Sequence, residues 1–263
     1  MGGAIRTAAW GVLAVGATGL VARASQELTL VPIVGTWKAG TEAGRATLTI
    51  QGSAAPPAVD ASAAGSLFGA EAPQLLASVS AQPAFPLAVA RDVPDFRGGT
   101  LRVQIKLLQG TDDRSGGIVF NLKPDGTYNF ARYNTKDGNV AIWKFEQGTR
   151  SVLAHGEEHQ QLPTGQWQTL VVTISGNDVT AVVNNRLRVQ HTLDQPVSGR
   201  IGLWSKPDVV TAFSGLRATP LRGRRGPERS CDCDQDARRT AGAFERERRS
   251  SRPARSRMPE RMS

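Results

Sequence analysis

Cysteine is almost missing from this sequence. Only Cys231 and Cys233 occur, both in CDCDQD near the C-terminus, and residues 1–230 contain none. A disulfide framework is thereby excluded for the body of the chain, which must hold together by packing. The Cys-x-Cys lacks the second ligand pair that a tetrahedral metal site requires. Also missing is any apolar run of about 20 residues, the length a membrane-spanning helix needs. The fifteen residues AAWGVLAVGATGLVA come nearest, after Arg6 and before Ala22-Arg23-Ala24. A positive start, a short apolar core and a small-x-small end predict an export signal over 1–24, with an uncleaved anchor as the alternative, and hence a periplasmic or secreted protein.

Excess charge is missing from the body as well, although the whole chain carries a net +9. From Ser25 to Leu221 there are 17 Lys or Arg against 16 Asp or Glu, whereas 222–263 hold 13 Arg against 7 acids. The basic balance therefore gives no reason to expect a nucleic-acid partner for the folded part. The tail, poor in large apolar residues and rich in like charges, is expected to be disordered. It is either a plain solvated extension or a contact for an anionic polymer or lipid surface.

What is present is alternation. From Phe85 onward, short runs of alternating or β-branched residues recur between turn markers such as KPDG (123–126), KDGN (136–139), SGND (175–178) and Asn184-Asn185. They predict strands near 87–91, 99–109, 116–122, 127–134, 139–146, 150–155, 166–175, 178–183, 187–192, 200–205 and 209–216. Two more are expected upstream, at 36–38 and 46–51. No helical period is sustained after Phe85, so the reading is all-β, a two-sheet antiparallel jelly-roll sandwich over 25–221. Residues 51–84, rich in Ala, Ser, Pro and Gly, read as an extended insertion or loose cover with one short strand near 74–79.

The segments GGIVFNLKPDGTYNFARYNTKDGNVAIWKFEQGTRSVL, GQWQTLVVTISGNDVTAVVNNRLRV and GRIGLWSKPDVVTAFSGL resemble the 3-keto-disaccharide hydrolase-like domains of the concanavalin A-like lectin and glucanase superfamily, over roughly 85–218. That resemblance implies a two-sheet jelly roll associated with binding or cleaving carbohydrate. Fold alone does not decide between the two.

Residues two apart in a strand share a face. Ile118, Phe120 and Leu122 are then expected on the core side, with Ile201 and Leu203, while Asn121, Trp204 and Lys206 fall on a second face together with Arg132 and Asn134. A sugar offers an apolar C–H face and a fringe of hydroxyls, so Trp204 is the expected stacking platform, with Asn121, Arg132, Asn134 and Lys206 around it. The alternative is structural: Trp204 covers the sandwich edge, Lys206 lies over it, and Asp208 caps the turn after Pro207. Trp143 and Trp167 are read as core.

Catalytic signals are sparse. The Glu-x-Asp-x-Glu strand motif of sandwich glucanases does not occur, which argues against paired-carboxylate hydrolysis. HGEEH (155–159) lacks a third ligand and lies between strands, so it reads as a connection. No cofactor is expected; calcium is the one ion for which the sequence offers oxygens, at Asp112, Asp113 and Asp208. Gly116-Gly117 reads as a bulge or a close approach of strands. Were the substrate a 3-keto-glycoside, one base and one oxyanion stabiliser would suffice, Asp208 in the first role and Arg132 or Lys206 in the second. The leading expectation is carbohydrate recognition, ahead of a keto-glycoside hydrolase or lyase and a structural or interaction module of the cell envelope.

Overall fold

The computed structural model describes residues 26–53, 55–110, 114–157 and 160–221. The expected signal segment, tail, Asp112 and Asp113 lie outside them. Two seven-stranded antiparallel sheets form the sandwich. In spatial order the first holds β1 (Leu30–Val34), β4 (Leu87–Ala90), β13 (Arg200–Ser205), β6 (Ser115–Leu122), β7 (Tyr128–Asn134), β8 (Asn139–Glu146) and β9 (Thr149–His155). The second holds β12 (Leu187–Thr192), β11 (Asp178–Val183), β10 (Gln168–Ser175), β5 (Gly99–Gln109), β14 (Val210–Pro220), β3 (Arg45–Ile50) and β2 (Trp37–Glu42).

Every strand expected after Phe85 is present, because alternation and turn chemistry agree there. Asn184 and Asn185, for example, both adopt positive φ (50° and 55°), the backbone that the tight three-residue connection between β11 and β12 uses. Only β1 was not anticipated.

The 51–84 stretch is corrected. It forms α1 (Ala61–Phe68), a single 3-10 turn (Gly69–Glu71) and α2 (Ala72–Val79), with no strand at 74–79. Its buried residues Ala64, Leu67, Phe68, Ala72, Leu75 and Val79 follow a helical spacing that the small residues around them obscure. Alanine also favours helix intrinsically. Asp60 caps α1, its Oδ1 accepting from the Ala63 amide at 2.8 Å. Asp60→Ala is expected to lower stability by about 1 kcal/mol in urea denaturation.

These helices create a second core. Between the sheets pack residues such as Leu101, Val103, Ile105, Ile118, Phe120, Tyr133, Ile142, Val172, Ile201 and Leu203. On the opposite face of the first sheet, Val119, Leu122, Tyr128, Phe130, Phe145 and Trp204 pack with Leu67, Phe68, Leu75 and Val79 of the helices. The first sheet is thus apolar on both faces, and all of β7 is buried. Arg200 ties cover to sheet: its Nη2 donates to the Leu67 carbonyl and its guanidinium lies 4.9 Å over the Phe68 ring.

One face assignment changes. Asn121 takes φ +58° and the β6–β13 register shifts between Arg200 and Gly202, so Leu122 turns to the helix-covered side rather than joining Ile118 and Phe120. The Gly116-Gly117 pair is the close approach expected of it. A Cβ on Gly117 would stand 2.0 Å from the Ala131 carbonyl oxygen.

Candidate functional site

The helices leave one end of the first sheet's outer face uncovered, on the side where β13 runs into Lys206-Pro207-Asp208. Three aromatic rings lead there. Trp204, fully buried, stacks on Phe130 at 4.3 Å (22° between planes), and Phe130 stacks on Trp143 at 6.2 Å (16°). Trp143, on β8, is half-buried, and its cross-strand neighbour Val152 on β9 is 44% exposed. The sugar platform expected at Trp204 is therefore corrected: the indole lies inside the helix-side core, with Phe85 packed on it at 5.4 Å. The ring that reaches the surface is Trp143, at the opposite end of the pile, where it packs against the core assigned to it and is only partly buried. Trp167 is also only half-buried, with the Arg45 guanidinium and the Lys106 ammonium 5.3 and 5.0 Å from its ring.

Two guanidiniums flank Trp143, Arg132 at 5.5 Å and Arg150 at 5.3 Å. Arg132 is 5% exposed and held from below, with Nη1 3.4 Å from Asn139 Oδ1 and Nη2 3.4 Å from Asp137 Oδ2. Arg150, on β9, extends further and lies 4.5 Å over Phe85 as well. Stacking on aromatic faces orders these cations. His155 meets Trp143 edge-on at 6.0 Å.

Beyond Arg150 opens a cleft of about 380 Å³, with Phe85 and Arg150 on one side and Lys206, Pro207 and Asp208 on another. Ser53, Pro56, Pro57 and Gln82 complete its rim. The rim is fixed by backbone pairing, since the Ser53 amide donates to the Pro207 carbonyl at 2.8 Å. Lys206 and Asp208 are both partly exposed. The cleft therefore combines an apolar floor, two cations and one carboxylate, a set suited to hydroxyl-rich or anionic ligands.

The other expected residues do not join it. Asn134 is buried; its Nδ2 donates to Asp137 at 2.6 Å and its Oδ1 accepts from the Lys136 amide at 2.8 Å, closing the β7–β8 turn. Asn121 occupies the far end of β6. Its Nδ2 donates to Asn129 Oδ1 at 2.9 Å and its Oδ1 accepts from the Ser198 amide at 3.1 Å. Lys206 lies beside Ser115 at the other end of the same strand, so the two are separated by six residues of strand, about 20 Å. The strand assignments thus bring Lys206 and Asp208 together and place Arg132 under Trp143, while Asn121, Asn134 and Trp204 serve the fold. Arg150 was the omission. The signal for it was present in TRSVLAH, where alternation puts Arg150 and Val152 on the face of Trp143. Among the described residues no three His, Cys, Asp or Glu side chains gather as a metal site would require.

No family model and no curated protein matches the chain. Among solved structures it is similar to carbohydrate binding module CBM66 from Bacillus subtilis, at 16% identity and TM-score 0.51, over 73% of this chain and 94% of that one. It is also similar to a β-glucanase from Bacillus licheniformis, at 13% identity and TM-score 0.43, over 74% of this chain and 90% of that one. Galectin LEC-6 from Caenorhabditis elegans matches at 13% identity and TM-score 0.35, over 47% of this chain and 90% of that one. At such identities the likeness is one of architecture, and the architecture is the antiparallel two-sheet jelly-roll sandwich that the strand pattern predicts.

Proposed function

We propose that the protein is an exported carbohydrate-recognising module whose sugar contacts are Trp143, Arg150, Lys206 and Asp208. The observation that carries this reading is the half-buried Trp143 ring, flanked by Val152 and two guanidiniums, beside an open cleft on a face otherwise sealed by helices. A sugar's C–H groups pack against the exposed part of such an indole, and the surrounding forks and carboxylate answer its hydroxyls. Arg132 supports the platform from beneath. A carbohydrate binding module shares the fold, which is in keeping with this use of it. Export is supported by Arg6 and the apolar residues after it, and a mature protein beginning at Ser25 is the expected product.

The test is titration of the full chain with a panel of neutral glycans and 3-keto-glycosides, following Trp fluorescence and released sugar. Arg150→Ala and Trp143→Phe are each expected to weaken glycan binding about tenfold, which corresponds to 1.4 kcal/mol. Parent-like affinity in both variants would remove the site from this end of the sheet.

A second reading, elimination on a 3-keto-glycoside, draws on the joint presence of Asp208 and Lys206 in the cleft. Asp208 would take the proton from C2, Lys206 would stabilise the enolate oxygen formed at C3, and the enolate would collapse to a C1=C2 enone as the C1–O bond breaks, the departing oxygen taking the proton held by Asp208. Sugar release that disappears in Asp208→Asn supports it; a fluorescence change without release supports binding alone.

A further inference from the structure

The outward face of the second sheet carries a separate feature. Direct cross-strand partners share a face, and the registers Arg188↔Val182, Val182↔Val171, Val171↔Arg102 and Arg102↔Arg217 draw one row across five strands. The row continues through the bridge from Arg217 to Glu27. Arg102 and Arg217 are immediate neighbours in it, an arrangement that like-charge repulsion disfavours in the protein alone. Together with Arg45, Gln104 and Ser214 they border a cleft of about 210 Å³ whose one carboxylate is Glu27. Three guanidiniums against one acid leave a local positive excess in a body that is nearly neutral overall. The Lys106 ammonium nearby is paired with Glu42 and adds nothing to that excess.

Next to the arginine row lies a row of hydroxyls, Thr180, Thr173, Thr100 and Thr219, ending at Gln190. Hydroxyl groups at strand spacing, about 4.8 Å apart, offer donors and acceptors to an extended polymer laid across the strands. A membrane surface would call instead for apolar side chains to insert. Of the large exposed hydrophobics among the described residues, Val59, Val152 and Leu221, none belongs to these two rows.

We infer that this outward face binds an acidic polysaccharide, with the polymer's carboxylates on the forks of Arg45, Arg102 and Arg217 and its hydroxyls on the threonine row. Arginine suits this role because its planar fork matches a carboxylate bidentately. The positive cleft attracts the polymer at a distance, so affinity falls as salt is raised.

The experiment is calorimetric titration of the full chain with polygalacturonate, with neutral dextran and with phosphatidylglycerol vesicles, at low salt and at about 0.15 M. The double variant Arg45→Ala/Arg102→Ala is expected to bind polygalacturonate at least about tenfold more weakly, with a parent-like melting temperature, because both side chains are exposed. Residues 222–263 are common to parent and variant, so any contribution from their arginines cancels. Unchanged affinity in the double variant overturns the inference. So does an equal loss on dextran, or a loss confined to phosphatidylglycerol vesicles, which would assign the face to a lipid surface. The Arg45→Ala/Arg102→Ala variant is expected to keep its affinity for neutral glycans at the cleft beside Trp143, so this face and that cleft stand or fall separately.

Discussion

Trp204→Ala is expected to lower the unfolding free energy by about 3–5 kcal/mol, while the fraction that still folds keeps its glycan affinity. The indole is fully buried, stacked on Phe130 at 4.3 Å and packed on Phe85 at 5.4 Å. Removing it leaves a cavity between sheet and helices that neither layer can collapse to fill, because the strand beneath is hydrogen-bonded on both sides to β4 and β6. Urea denaturation gives the first quantity and titration of the folded variant gives the second. A variant with the parent's midpoint and no glycan binding would return Trp204 to the site. Trp204→Phe keeps most of the apolar area and is expected to lose much less.

Gly117→Ala is the second large effect, about 3 kcal/mol or more from overpacking against rigid backbone. The added methyl would lie 2.0 Å from the Ala131 carbonyl oxygen and 2.8 Å from the Arg132 Cα. No rotamer relieves a clash at Cβ, so β6 and β7 must part. Gly117 is also the ladder neighbour of both Trp204 and Arg132. The displacement would therefore travel to the guanidinium under Trp143, and glycan binding is expected to weaken together with stability. Circular dichroism melts check the stability, and a melting temperature equal to the parent's would refute the assigned close approach.

These two positions show how far the sequence could be read. Alternation placed Trp204 on the correct face, opposite Ile201 and Leu203, and it identified the strand that carries it. What alternation cannot reveal is whether a face meets water. That depends on Phe85 and the helix-bearing stretch before it, more than a hundred residues away in sequence, packing onto it. The helices themselves were obscured because alanine and serine dominate the stretch and only six buried positions mark its period. Asn121 failed for a local reason. A single residue at positive φ shifts the register, and Leu122 after it changes sides. Lys206 and Asp208 were legible because a strand ending in charge beside Pro207 is unusual turn chemistry, and they do line the cleft. Arg150 could have been added by carrying the same alternation one strand further.

The two helices lie within a single connection, residues 51–86, which carries the chain from β3 in the second sheet to β4 in the first. Strand order and register on either side do not depend on its length. How much of the aromatic face is open to a ligand is thus controlled by one crossover. A longer or shorter version of it would slide the shutter along the same sheet, and chains of one architecture can in this way expose a long groove, a short notch or nothing at all.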